Sequence, residues 1–225
     1  MLNGAADAVR ALGRDRAPAR LAGLPDLVAP PTRRLTRPEL AALAIDAPVI
    51  ARPVDSHAGA GLEKIDGPAA LAGYLARQPG QTFYVQPFVD YAGPDGRFRK
   101  LRIALVGGRA FIVHMAVSDH WMVHYLNAGM AEDADKRAEE AAMMASFGEG
   151  FAARHAETFR ALHAAFRLDY LAIDCAEDRE GRLLVFEADT AMIVHDMDPP
   201  DLYSYKTAAM QKLFAAFQGL IASRL

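Results

Sequence analysis

Seven carboxylates lie within one short stretch, LDYLAIDCAEDREGRLLVFEAD, residues 168–189, and three of them, Asp174, Glu187 and Asp189, fall in its strand-like runs at spacing that could bring them together. Two apolar, β-rich runs flank a polar turn in it. A two- or four-residue loop centred between Glu180 and Gly181 pairs positions whose numbers sum to 361. Asp174 then opposes Glu187, and Ala172 opposes Asp189, with opposed Cβ atoms about 4.5–5.5 Å apart. The two-residue period of a strand puts positions 187 and 189 on one face. Asp174, Glu187 and Asp189 are therefore expected to cluster. Leu171, Ile173, Cys175, Leu184, Phe186 and Ala188 fall on the opposite, apolar face. Carboxylates this close repel one another unless one is protonated or a cation sits between them. An all-oxygen donor set without His or Cys suits Mg²⁺ or Mn²⁺ held alongside phosphates. A solvated acidic strand face accounts for the same pattern equally well.

Cations come from two other places. Arg52 is the fifth residue of the run PVIARP and precedes DSHAGAG, residues 55–61, a loop of small residues. Gly59 and Gly61 allow its amides to turn toward an anion, and Arg52 can bridge phosphate oxygens. A plain turn between strands is the competing reading, because the loop is neither a Walker loop nor a GxGxxG motif. On the run 97–106, Lys100 and Arg102 share a face. Arg102 stands among Leu101, Ile103 and Leu105, so it should meet an anion or a structural carboxylate. None of the seven histidines has zinc-ligand spacing. His57 and His195 draw interest only because they flank the two suspected sites. No Ser-His-Asp order or GxSxG elbow occurs, and Cys175 belongs to the apolar face.

Positioning these residues takes an α+β chain. Residues 48–54, 62–65 and 82–89 read as strands, with a helix over 68–77 that starts at Pro68. Residues 97–106 and 109–118 form a hairpin through Gly107-Gly108. Helix is expected over 136–166, broken near Gly148 and Gly150, and again over the amphipathic stretch 203–222. Residues 1–45 read as short helices and a Pro-rich connector, with Thr36 capping a helix over 37–44 and Glu39 completing a capping box. The chain has 225 residues, 52% of them hydrophobic, which excludes a disordered chain. One cysteine excludes an internal disulfide and points to a reducing, cytoplasmic setting. No apolar run is long enough for a membrane span, and a net charge of −3 argues against nucleic acid.

In order and spacing these pieces resemble the ATP-grasp superfamily, particularly its ribosomal-protein-glutamate-ligase (RimK-like) and glutathione-synthetase-like branch. The resemblance runs from about Pro48 to His195. It implies an α+β ATP-grasp fold, two lobes of mainly antiparallel sheet gripping a nucleotide. Residues 1–45 would be an adaptor, 46–90 the small lobe, and 91–225 the large lobe with the metal-binding hairpin and C-terminal helix. PVIARP resembles the strand ending in a nucleotide-binding Lys, here Arg52. DSHAGAG resembles the flexible loop over the phosphates, which implicates Ser56, His57, Gly59 and Gly61. FYVQPFV resembles the strand into the adenine hinge, where Gln86, Pro87, Phe88 and Val89 would meet the base. RKLRIALVGGRAF implies that Arg102 contacts the γ-phosphate or an acyl phosphate, and HYLNAGM makes Asn127 a candidate beside the phosphates. IDC…LLVFEAD resembles the metal-binding ending, so Asp174, Glu187 and Asp189 would carry Mg²⁺ (or Mn²⁺). Asp189 stands where the family usually has Asn.

The resemblance implies an ATP-dependent ligase joining a small carboxylate to an amine, such as an amino acid or peptide, through an acyl phosphate. A nucleotide-binding or regulatory module with reduced catalysis is the alternative, and an interaction domain with a solvated acidic face is a third. Family members carry a further N-terminal α/β domain. The expectation is therefore a partner chain that completes the site, a trimmed chain, or a small substrate held by the two lobes alone. The C-terminal helix is expected in the core, with a homodimer interface as the other use of Phe214, Phe217 and Ile221.

Overall fold

The structure, a computed structural model, describes residues 2–57 and 59–224; Met1, Leu225 and Ala58 of the small-residue loop lie outside the described residues. Two short helices, α1 (Ala6–Arg10) and α2 (Ala17–Leu21), lead into β1 (Leu27–Val28), β2 (Arg33–Thr36) and α3 (Arg37–Ala41). Then come β3 (Val49–Pro53), β4 (Glu63–Ile65), α4 (Pro68–Arg77) and β5 (Thr82–Pro87). β6 (Phe98–Val106) and β7 (Arg109–Ser118) precede α5 (Ala134–Ser146), α6 (Phe151–Arg154) and α7 (Ala156–Phe166). β8 (Tyr170–Glu177), β9 (Leu183–Asp189), α8 (Pro200–Tyr203) and α9 (Thr207–Ala222) complete the described chain.

The strands form two sheets, ordered β2-β5-β3-β4 and β1-β9-β8-β6-β7. All pairs are antiparallel except β1 with β9. Leu40, Ile65, Leu71, Tyr74 and Phe83 make the core of the smaller sheet and its helices. On the larger sheet Leu101, Ile103, Leu171, Ile173 and Cys175 pack against Phe159, Leu162 and Phe166 of α7. α9 covers part of the other face, where Met210 and Leu213 meet Ala104 and Val113.

Local chemistry explains the elements that matter. Gly107 and Gly108 have φ of +57° and +79°, as a two-residue turn matched to strand twist requires. A Cβ on Gly108 would stand 2.9 Å from the His163 ring, so the turn also fits closely over α7. Thr36 and Glu39 form the expected capping box, the Thr36 N–H donating to Glu39 Oε2 at 2.7 Å. The helix it starts ends at Ala41 rather than at residue 44. The expected continuous helix over 203–222 is interrupted by a 3-10 turn at Ser204–Lys206. There Lys206, 3% exposed, turns inward to Glu140 and Asp198.

Two expectations are corrected. Residues 27–36 are not a plain connector: β1 joins the larger sheet beside β9 and β2 joins the smaller beside β5. The 178–182 turn is also neither a two- nor a four-residue loop: three residues, 179–181, separate its ends. Its ends pair as Asp178 with Arg182 and Glu177 with Leu183, a sum of 360. Phe186 is then an extra residue in β9, a bulge opposite Asp174/Cys175, which restores the sum of 361 at Asp174↔Glu187 and Ala172↔Asp189. Leu184 accordingly opposes Ala176 on the Asp174 side of the sheet, where it is still buried within the main core cluster.

Candidate active site

A second bulge lies opposite Arg102, where Val113 is the extra residue of β7. Between the two bulges four strands align in one row: His114 opposes Arg102, Arg102 opposes Asp174, and Asp174 opposes Glu187. Directly opposed residues project from the same face, so the row is a continuous polar strip on an otherwise apolar sheet. Its members Arg102, Asp174 and Glu187 line the floor of a cleft of about 250 Å³ between the sheets. Arg52, Tyr84 and Gln86 to Val89 of the smaller sheet line the opposite wall.

Asp174 is 5% exposed. Its Oδ1 accepts from Arg102 Nε at 2.8 Å, and its Oδ2 from Lys100 Nζ at 2.9 Å and Arg102 Nη2 at 3.2 Å. Burial pushes this carboxyl up, but the Arg102 hydrogen bonds and the Lys100 charge outweigh it and hold the group well below the usual carboxylate range. Burial lowers Arg102 in turn, and the bonds to Asp174 more than offset it. The remaining Arg102 nitrogen, Nη1, donates to the Ile193 carbonyl at 3.1 Å. Burial, with the Arg102 charge beside it, pushes the His114 imidazole well below its ordinary range, so it is neutral at pH 7. His124 on the cleft wall is lowered for the same first reason, and the like charge of Lys100 lowers it further.

Arg52 is 8% exposed and, among the described residues, donates only to neutral acceptors, Ser56 Oγ at 3.2 Å and the Ser56 carbonyl. Burial lowers its guanidinium, and Arg14 across the cleft lowers it further. The loop itself is a chain of tight turns. Gly61 has φ +66°, and a Cβ there would stand 2.8 Å from Pro53 Cδ. Gly59 faces the cleft, its would-be Cβ 3.4 Å from Met122 Sδ of the other lobe.

Of the expected nucleotide residues, Arg52, Gly59, Gln86, Pro87, Phe88, Val89 and Arg102 line the cleft, and so does Asn127. Ser56, His57 and Gly61 do not line it: Ser56 buttresses Arg52, His57 points to solvent, and Gly61 makes the turn. His195 is also outside, its Nδ1 accepting from Met197 N at 3.2 Å. The Phe88 N–H already donates to the Pro48 carbonyl at 2.9 Å, so it is not a free donor for a base. The Phe88 ring packs edge-on to Trp121, with centroids 5.7 Å apart.

The metal expectation divides. All-oxygen donors suit a hard divalent cation, and Asp174 and Glu187 stand opposed at the cleft floor. Asp189 does not join them: its Oδ1 accepts from Ala191 N at 2.9 Å, and the residue lies off the cleft. Glu187 meanwhile is paired with Arg14. Among the described residues no three His, Cys, Asp or Glu gather closely enough to hold an ion. Asp174 and Glu187 therefore fit a divalent cation in type and placement, and Asp189 does not in this arrangement.

Arg14 and Lys100 are the charged cleft residues that the sequence does not single out. For Lys100 the signal is visible, since it alternates onto the Arg102 face. Arg14 carries none, because its place depends on how the segment between α1 and α2 folds over β9.

No family model matches the sequence, and no curated protein matches it. Solved structures do. The D-Ala:D-Ser ligase VanG from Enterococcus faecalis aligns with 93% of this chain and 61% of its own, at 15% identity and a TM-score of 0.51. The D-alanine–D-alanine ligase from Bacillus anthracis aligns with 94% of this chain and 67% of its own, at 11% identity and TM-score 0.51. That from Coxiella burnetii aligns with 95% and 58%, at 10% identity and TM-score 0.51. The chain has the ATP-grasp fold. It spans about three fifths of the enterococcal enzyme's length. Two mainly antiparallel sheets with a cleft between them are in keeping with that fold, and Arg102, Asp174 and Glu187 lie on the larger-sheet side of the cleft. Among the described residues, no helix is long and apolar enough to cross a membrane.

Proposed function

We propose that this chain is an ATP-dependent carboxylate–amine ligase of the RimK-like type, with the nucleotide held between its lobes. The observation that carries the reading is the row Arg102–Asp174–Glu187 on the floor of the grasp cleft, facing Arg52. Polyphosphate chemistry needs charge neutralisation and positioning more than covalent help. Arg52, Lys100 and Arg102 supply positive charge from both walls. Asp174 orients two of these cations, so they are set before substrate arrives.

A substrate carboxylate oxygen attacks the γ-phosphorus, and the bond to the β-bridging oxygen breaks to release ADP. An amine then attacks the acyl carbon, phosphate leaves, and the amine loses its proton. Arg52 and Arg102 stabilise the charge on the transferring group. Asp174 and Glu187 would hold Mg²⁺ or Mn²⁺, which neutralises phosphate charge when bound. The loop ending at Gly61, with Gly59 against Met122, shields the acyl phosphate from water. The carboxylate and amine belong to amino acids or peptides.

A second reading has a specific observation in its favour. Both Asp174 oxygens already serve cations, and Asp189 is turned to a backbone amide. A nucleotide-binding module with reduced catalysis would tolerate both. One experiment separates the two. Calorimetry with a non-hydrolysable ATP analogue and Mg²⁺ tests binding, and ADP release is then followed over pairs of amino acids and peptides. The ligase reading expects binding and pair-dependent ADP release, both lost in Glu187→Gln with the fold intact. Binding without release for any pair supports the module, and turnover unchanged in Glu187→Gln removes the metal assignment.

A further inference from the structure

The cleft holds more positive charge than its carboxylates balance. Arg14, Arg52, Lys100 and Arg102 line it, against Asp174 and Glu187. Lys100, Arg102 and Asp174 form one closed group. That leaves two guanidiniums and one carboxylate on the remaining walls. Arg14 takes Glu187 as its partner, while Arg52 has no carboxylate within ion-pair reach among the described residues and bonds only to Ser56. The two guanidiniums come from opposite lobes. Arg52 lies next to the end of β3 in the small lobe, whereas Arg14 rides on a segment whose Leu12, Ala17 and Leu21 are buried in the large-lobe core. The Arg14 charge disfavours that of Arg52 across the gap, and Glu187 offsets part of this from farther than ion-pair distance.

Like charges held face to face across a cleft are costly until an anion enters between them. A monoanion can satisfy one planar fork. A chain of phosphates offers oxygens to both, in the bidentate geometry that guanidinium groups select. We propose that Arg14 is a polyphosphate-binding residue: with Arg52 it clamps the phosphate tail of the nucleotide from the two lobes, leaving Glu187 as it does so. The exchange frees Glu187 at the moment phosphate charge arrives. The inference rests on the nucleotide reading above for the identity of the tail, but its chemistry requires only a linear polyphosphate.

The test uses the full chain and three probes with Mg²⁺: tripolyphosphate, ATP and AMP, each titrated by calorimetry into wild type, Arg14→Ala and Arg14→Gln. Arg14→Gln keeps much of the stem's packing and a hydrogen bond to Glu187, so it tests the same point if the alanine variant folds poorly. Both variants should weaken tripolyphosphate and ATP about tenfold or more, the size expected for loss of a charge-assisted bond. AMP affinity should stay within about twofold, and Arg14→Lys should recover part of the loss. A buttressing role for Glu187 alone acts through the cation, so a loss of tripolyphosphate affinity seen with Mg²⁺ but absent when Mg²⁺ is omitted overturns the proposal. So does tripolyphosphate affinity that is unchanged in both variants. Wild type that binds tripolyphosphate through Arg14 but no adenine nucleotide sustains the clamp and removes the ligase reading. Binding of none of the three probes removes both.

Discussion

Replacing Asp174 by Asn removes one negative charge and leaves two cations facing it. Lys100 and Arg102 lose hydrogen bonds of 2.9, 2.8 and 3.2 Å, and their side chains are 13% and 21% exposed. Breaking a fully buried pair by deleting one partner costs about 3–5 kcal/mol. Here both cations reach the cleft solvent, so the expected loss is smaller, about 2–3 kcal/mol. At about 2–4 °C per kcal/mol for a chain of this length, the melting point should fall by roughly 5–10 °C. The pH dependence is the sharper check. The folded carboxyl lies well below its unfolded value of about 3.9, so its stabilisation is complete above about pH 5. It is lost as pH falls through the unfolded value toward the folded one. By pH 3 about 1 kcal/mol of the wild-type advantage should be gone. Urea unfolding followed by far-ultraviolet circular dichroism at pH 7 and pH 3 measures both numbers. A difference below about 0.5 kcal/mol at pH 7, or one that grows on acidification, refutes the account of Asp174 as the anchor of two cations.

Gly61→Ala should disturb the loop rather than the fold, because a Cβ there meets Pro53 Cδ at 2.8 Å on backbone with φ +66°. We expect nucleotide affinity to drop several-fold by calorimetry while the circular dichroism spectrum is unchanged. Glu140 is fully buried and accepts from Met115 N at 2.9 Å, Tyr125 at 3.0 Å and Tyr205 at 2.6 Å, with Lys206 at 3.3 Å. Glu140→Gln should cost about 3 kcal/mol in urea unfolding, and limited proteolysis should then release the segment carrying α8 and α9.

The parts of the fold legible in the sequence are those fixed by neighbours in the chain. Pro68 starts α4, Gly107-Gly108 closes its hairpin, and Asp174 opposes Glu187. The last agreement has a cause that the pattern hides, since a three-residue turn and the Phe186 bulge displace the register in opposite senses. What stays hidden depends on partners far along the chain. β1 and β2 are two and four residues long, flank Pro30-Pro31, and show no alternation. They become strands because Leu183 and Val85 offer open ladders beside them. Arg14 enters the cleft by the same long-range route. Among the carboxylates, alternation places Asp189 on the right face but does not reveal that Ala191 N would take its side chain.

Those same strands set an order of assembly during synthesis. β2 pairs with β5, so the small sheet has all its strands once residue 87 has emerged. β1 pairs with β9, Leu27 against Leu183, and must wait for about 155 further residues. Only four residues separate β1 from β2. A nascent chain therefore carries a finished small lobe whose N-terminal neighbour is an unpaired apolar segment bearing Leu21, Leu27 and Val28. That segment is an exposed sticky end through most of translation, the kind of surface that chaperones bind.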